Sequence, residues 1–574
     1  MLKYVSVLIP FFRQCWFVYL LGVSLLIAVD ALQLFVPRLI GQIIDSLLQK
    51  QAFLKYLIDL LILAFLSAVL RYIYRECIMG STRRLEYYLR SAIFDHALYI
   101  SLPFFDKEGP GKIMALTTND VSAVRYAVGL GVILLVDAVI MGLVSFAVMV
   151  RSMNLALAGW AVAPIFPLLI VATIMGRVMH KRYRQVQEKF SELTEFVQEA
   201  FSGARVIKGF AAETLWIRRF SAVSKDNVNV NLSMANFQAV YMPITHILPF
   251  FSYALVLYFG GVMVVEGKMT IGELTAFFAY LGLILWPIMG VGYLINTLQR
   301  GAASLVRIGQ FLETPVYEAR ETDKTSLELY GNIEICNLTY QYADTGVPAI
   351  GNINLKIPQG AKVGIVGRPG SGKSTLLKLL LRLYDPPVGT IYIAGREVHE
   401  YSFLQLRNNI GYVPQDGILF SRTIGENIAF DKTYSREKIV EAANIAAIGE
   451  AIDAKPEGYA LAVGEQGKRL SGGQQQRVAI ARAIIKNPDI LLLDDVFSAL
   501  DYHTQSQVLK NLQAYFAGHT AIIVSQRIAP LKDADFIVVL DQGSIVEQGT
   551  HEQLVRNKGL YFKLYEQQLA GGEV

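Results

Sequence analysis

Two short stretches of this 574-residue chain gather residue types suited to holding phosphate. The strand-like run Ala361–Val366 leads into Gly367-Arg368-Pro369-Gly370-Ser371-Gly372-Lys373-Ser374, and Thr375 then opens a leucine-rich helical pattern. That strand–loop–helix order is the one a P-loop requires. Its glycines let backbone N–H groups close around phosphate oxygens, and the helix N-terminus adds positive potential. Lys373 is spaced to reach the β- and γ-phosphates, and Ser374 to hold Mg²⁺. A second apolar run, Ile490-Leu-Leu-Leu493, ends in Asp494-Asp495. Four apolar residues and then an acid fit a buried parallel strand that delivers a carboxylate to the same metal.

The elements that position these residues belong to the second of two contrasting regions. The part after about Tyr330 reads as an ordinary α/β protein, whereas long apolar runs fill the part before it. Hydrophobic residues reach 53% and charged residues only 18%, against about 25% charge in average soluble proteins. Six stretches are long enough to span a bilayer: Cys15–Phe35, Leu57–Met79, Ala127–Val150, Leu155–Met175, Tyr241–Val264 and Leu274–Thr297. The connections after the second and fourth, Arg83–Arg125 and Arg177–Asn236, are long, helical in pattern and rich in Lys and Arg. The positive-inside rule places them, and both termini, in the cytosol. They are expected to be helices that run on beyond the bilayer, with turns near Gly109-Pro110-Gly111 and Ser202-Gly203.

Net charge is +5, and no dense Lys/Arg stripe with interleaved aromatics suggests nucleic acid as a partner. Cys15, Cys77 and Cys336 are too far apart for metal-ligand spacing. Asp30, Gln33, Asp137, His246 and Asn296 fall inside expected spans. Such groups face a bundle interior or a water-filled cavity. For Asp30 and Asp137, a substrate pathway and helix-to-helix hydrogen bonding both stand; for the other three, helix-to-helix hydrogen bonding is preferred. Arg38 and Arg71 lie nearer the ends of their spans and are not expected to pair with these acids. The sixth span carries Phe277, Phe278, Tyr280, Trp286 and Tyr293, a stripe that suits either an aromatic cavity wall or plain packing.

Between the two phosphate-site stretches lies Leu470-Ser471-Gly472-Gly473-Gln474, which resembles the signature of ABC ATPases. Tyr342 resembles the aromatic that stacks on adenine in that family. Gln415, in Val-Pro-Gln, resembles the residue that senses Mg²⁺ and the γ-phosphate. Gly464-Glu465 and Ser498-Ala-Leu-Asp501 resemble segments that signal to the transmembrane helices and across the ATPase dimer. Phe104–Gly111 with Thr118-Asn-Asp120, and Glu199 with Ser202–Lys208, are similar to the two intracellular loops of ABC exporters. The resemblance covers nearly the whole chain. It implies a membrane α-helical bundle of six spans with long intracellular helix extensions, over 1–312. A linker over 313–330 would join it to an α/β P-loop ATPase domain with antiparallel β and helical subdomains, over 331–574. It further implies ATP and Mg²⁺ as ligands, with Ser374, Gln415 and Asp494 toward the metal. Two such chains would make a multi-pass transporter of the plasma or inner membrane. Each ATP would sit between the P-loop of one chain and Ser471, Gly472, Gly473 and Gln474 of the other.

Two positions depart from the family pattern. Asp495 stands where a catalytic Glu is usual, and Gln526, in Val-Ser-Gln-Arg, where His is usual. Asp is shorter by one C–C bond, about 1.5 Å, and a misplacement of that size costs on the order of 10²-fold in rate. Gln cannot exchange a proton as His does. The site on this P-loop is therefore expected to bind ATP and turn it over slowly, with Asp495, Gln526 and Gln415 as its catalytic set. The chain then resembles the degenerate-site half of a heterodimeric bacterial multidrug exporter, whose partner keeps the Glu and the His. The expected cargo is an amphipathic drug or lipid. The alternatives are a lipid or peptide exporter, or an importer of metal chelates built on the exporter fold.

Overall fold

The computed structural model describes residues 2–152, 155–316, 329–343, 345–430 and 432–570. These form two compact units: Met1–Ala97 with Pro110–Thr314, and Leu98–Gly109 with Pro315–Val574. Of the expected linker, residues 317–328 lie outside the described residues.

The first unit is helical: α1 (Ile9–Gln33), α2 (Val36–Leu48), α3 (Leu54–Tyr99), α4 (Leu102–Ala115), α5 (Val121–Val128), α6 (Leu130–Ser152), α7 (Leu155–Val162), α8 (Ile165–Ser202), α9 (Ala204–Gly209), α10 (Glu213–Val265) and α11 (Ile271–Leu312). All six expected spans fall on these helices. Among the described residues three helical runs, Ile9–Leu48, Leu54–Tyr99 and Leu102–Arg151, are long and apolar enough to cross a membrane; Phe250–Val265 and Ile271–Ile284 are shorter apolar stretches. The 46 residues of α3 and 53 of α10 give lengths of about 70–80 Å, well beyond the ~30 Å hydrocarbon core. Both expected turn points are breaks: α4 kinks at Gly109, whose φ is +69°, and α8 stops at Ser202.

Helix α11 is the packing centre of this unit, lying against α2, α5 and α6. Phe277 and Tyr280 are buried beside Met149, Leu157 and Leu281, so that part of the aromatic stripe is core. Tyr293 is exposed, and the side chains of Trp286 and His246 lie outside the described residues. The N-terminus of α11 is held by Asp45, whose carboxylate accepts from the Gly272 N–H (2.8 Å) and the Thr270 hydroxyl (2.7 Å). Glu273 closes a capping box with Thr270.

Asp30 is buried at 3% exposure beside Asp137, and one buried oxygen of each, Asp30 Oδ2 and Asp137 Oδ1, has no hydrogen-bond partner among the described residues. Arg71 makes no ion pair with either carboxylate among the described residues. Burial of a carboxylate in an apolar setting is costly.

The second unit holds two sheets. A four-stranded antiparallel sheet runs in the order β2 (Ile350–Ile357), β1 (Ile333–Tyr340), β4 (Ile391–Ile393), β5 (Arg396–Glu397). A six-stranded sheet runs β10 (Ser544–Gly549), β9 (Phe536–Asp541), β3 (Lys362–Gly367), β8 (Thr520–Val524), β7 (Ile490–Asp494), β6 (Ile410–Val413). Strands β9, β3, β8, β7 and β6 pair in parallel. Both β3 and β7 are buried along their full length, as a parallel strand covered on two faces must be. Their C-terminal ends deliver the loop after Gly367 and the carboxylate of Asp494 to one edge of the sheet, where such folds place ligands.

Candidate active site

Helix α12 (Lys373–Leu380) starts directly after β3. The loop between them can close only with glycine at its last position. Gly372 has φ +94°, and a Cβ there would stand 2.6 Å from the Ala349 carbonyl oxygen. Lys373, 7% exposed, turns its ammonium back along the loop. Its Nζ donates to the carbonyls of Gly367 (2.9 Å) and Arg368 (2.8 Å) and to Ser371 Oγ (3.3 Å). Burial lowers its pKa, against the charges of Asp495 and Asp494.

A cavity of 470 Å³ opens over this loop. Its walls include residues 369–375, Gln415, Asp494, Asp495 and Gln526, with Tyr342 at one side. The structure thus brings together nearly all the expected phosphate, adenine and catalytic residues, from sequence positions up to 184 apart (526 − 342). Gly367 and Arg368 contribute carbonyls to Lys373 instead of lining the cavity. Ala349 and Val524 also line it; nothing in their residue types marked them beforehand.

The donor set fits a hard divalent cation. Ser374 Oγ lies 2.9 Å from Asp494 Oδ1, and Asp494 is 2% exposed with Tyr412 beside its other oxygen at 3.5 Å. Hydroxyl, carboxylate and the nearby Gln415 amide are oxygen ligands of the kind Mg²⁺ takes. Burial raises the pKa of Asp494, and the Ser374 hydrogen bond opposes it.

Asp495 is tethered where it stands. Its backbone is left-handed, φ +48°, a region in which Asp is tolerated better than most residues. Its N–H donates to the Val524 carbonyl (2.9 Å), and its Oδ1 accepts from the Gln526 N–H (3.2 Å). Burial raises its pKa, and the Gln526 N–H and then Lys373 counter that. Gln526 is itself braced from the C-terminal helix Leu560–Ala570: Gln568 donates to the Gln526 carbonyl (2.8 Å) and accepts from the Ile528 N–H (2.8 Å). No motif pointed to Gln568.

Ser471, Gly472, Gly473 and Gln474 are absent from this cavity's walls. Ser471 instead caps the helix Gly472–Ile484 and forms a reciprocal box with Gln474, leaving Ser471 exposed and Gln474 half-buried. This arrangement presents a helix N-terminus outward, a geometry that favours an anionic group from elsewhere.

Comparison with known proteins matches two parts of the chain. Residues 19–288 match the family model for the ABC transporter transmembrane region, and residues 350–498 match a second model, described as ABC transporter. A probable multidrug resistance ABC transporter ATP-binding/permease protein, YheI of Bacillus subtilis, is 36% identical over 97% of this chain and 96% of its own length. The chain belongs to the ABC transporter family. The multidrug resistance-like ATP-binding protein MdlA of Escherichia coli is 33% identical over 97% of this chain and 95% of its own. An ATP-dependent lipid A-core flippase of Syntrophus aciditrophicus is 34% identical over 85% and 81%. A bacterial Atm1-family ABC exporter solved with ATP bound shares the fold, with a TM-score of 0.77 at 24% identity over 98% and 99% of the two chains. This ABC transporter is accordingly an exporter half: a membrane-spanning helical domain fused to a domain that binds ATP and couples its hydrolysis to transport.

Within the ATPase unit, the segment Leu98–Gly109 is joined by its own contacts. Ile100 bridges Val316, Leu102 packs on the core under β1–β4, and Tyr384 donates a hydrogen bond to Asp106. The Tyr384 ring in turn meets Tyr342 edge to face at 5.0 Å, and the Tyr342 hydroxyl donates to Thr375 (3.0 Å). Within this unit a chain of contacts therefore runs from the P-loop helix to residues 98–109.

Proposed function

We propose that this chain is the slow-hydrolysing half of a heterodimeric exporter of amphipathic drugs or lipids. Its domains divide as 1–312, 313–330 and 331–574, and its ATPase domain faces the cytosol of a plasma or inner membrane. The observation that carries the reading is the tether on Asp495. A general base must reach the water it activates. This carboxylate is short, is held by the Gln526 N–H, and has Gln526 where a proton-exchanging His is usual.

The residues that hold nucleotide are intact. Tyr342 supports the adenine, residues 369–375 surround the phosphates, and Lys373 exchanges its loop carbonyls for phosphate oxygens. Ser374, Gln415 and Asp494 would hold Mg²⁺, which would supply charge neutralisation at the phosphates. Ser471, Gly472, Gly473 and Gln474 complete the partner's site, where a Glu and a His carry out the hydrolysis. The multidrug names of the relatives support the cargo class.

Purification of this chain from its native membrane tests the assignment. A second, different ABC half should accompany it in equal amount. A homodimer that hydrolyses ATP at rates usual for the family would refute it.

A further inference from the structure

Several acids of the transmembrane unit are already engaged. Asp45 and Glu273 cap α11, Glu86 pairs with Arg90 (2.7 Å) and Arg125 (3.3 Å), and Asp120 pairs with Arg307 and Ser304. Arg300 is different. It is exposed and has no hydrogen bond or ion pair among the described residues.

Arg300 lines a groove of 330 Å³ between α11 and the chain leading into α5. From α11 come Tyr293, Asn296 and Arg300, spaced i, i+3, i+7 on one face; from across the groove come Asn119, Ala123 and Tyr126, spaced i, i+4, i+7. The floor is set by small residues. A Cβ on Gly301 would fall inside contact distance of Ala127 and 3.1 Å from the Ala123 carbonyl, so the two helices touch there and the longer side chains stand up as walls. Tyr126 and Tyr293 are 49% and 58% exposed, and no carboxylate is among the lining residues. Arg125, paired with Glu86, lies over the Tyr126 ring at 4.5 Å and helps to hold that wall.

We infer that this groove binds the anionic end of an aromatic amphiphile: Arg300 takes a carboxylate, sulfonate or phosphate, Asn119 and Asn296 donate beside it, and the two tyrosines hold the flat ring. The inference rests on the exporter reading and narrows its cargo from amphipathic molecules in general to anionic aromatic ones. A guanidinium pairs such oxyanions through two parallel donors, and exposed tyrosines offer ring contact at small entropic cost.

The test uses the transporter as purified with its partner, in lipid nanodiscs without ATP. Binding of 1-anilinonaphthalene-8-sulfonate is compared with that of the uncharged sulfonamide on the same ring system. The wild type should favour the sulfonate, and Arg300→Gln should weaken sulfonate binding on the order of tenfold while leaving the sulfonamide unchanged. Arg300→Lys should retain part of the preference. An unchanged sulfonate affinity in Arg300→Gln overturns the inference. So does an equal loss of both probes in Arg300→Gln and Arg300→Lys, which would make the residue structural. ATP-driven uptake of the same probes into inside-out vesicles separates this from the broader reading. Arg300-dependent binding with uptake of neither probe supports the groove and counts against export of this class.

Discussion

Replacing Tyr384 by Phe removes one hydroxyl from a buried ring and leaves its packing against Tyr342 and Tyr340 in place. The lost contact is the hydrogen bond to Asp106. Burial, with the Asp106 hydrogen bond adding to it, pushes the Tyr384 phenol well above its ordinary pKa, so the group is a donor throughout the working range. A shielded hydrogen bond to a charged group contributes about 1.5–3 kcal/mol. Asp106 is exposed, so water can replace the phenol, and about 1 kcal/mol is the better figure. That corresponds to roughly a fivefold shift away from the docked state of Leu98–Gly109. The effect should appear as faster amide exchange over residues 98–109 in the assembled transporter. Cargo moved per ATP should fall severalfold, with ATP affinity nearly unchanged because the Tyr342–Thr375 bond is retained. Unchanged exchange together with unchanged cargo per ATP would show that Tyr384 does not link this segment to the site.

Other perturbations test other parts of the account. The paired change Asp495→Glu with Gln526→His should raise ATP hydrolysis by this chain's site more than the sum of the single changes, since either alone leaves one catalytic group missing; steady-state ATPase of the four proteins measures it. Gly372→Ala places a Cβ 2.6 Å from the Ala349 carbonyl in a left-handed backbone, and should abolish nucleotide binding to this chain in photolabelling while leaving the helical unit folded. Gln568→Ala removes two hydrogen bonds from the Gln526 loop and should lower the thermal midpoint of the ATPase unit by an amount corresponding to about 1–2 kcal/mol.

What could be read from sequence was local. The P-loop and the acid after β7 each lie within about eight residues, and a strand–loop–helix order fixes their geometry without reference to the rest of the chain. The membrane stretches announced themselves by length and apolarity. The contacts that escaped are long-range or depend on helix rotation. Tyr384 and Asp106 are 278 positions apart, and Gln568 reaches back 42 to Gln526. Asp30 and Asp137 meet because α1 and α6 turn particular faces toward each other, and helices apolar all round carry no pattern that says which face that is. The same ambiguity hid the groove at Arg300, although the spacing of Tyr293, Asn296 and Arg300 on one face was legible once α11 had been placed. Asp495 was legible as a shorter base, but its tether to the Gln526 N–H was not, because it depends on β7 and β8 lying side by side.

The most direct test is to follow the nucleotide at this chain's P-loop while the assembled transporter turns over. After many cycles of cargo-stimulated hydrolysis, the photolabelled peptide containing Tyr342 should still carry uncleaved ATP, its γ-phosphate label retained. Recovery of ADP there, with exchange as fast as the overall ATPase rate, would contradict the proposal that this half holds ATP while its partner hydrolyses it.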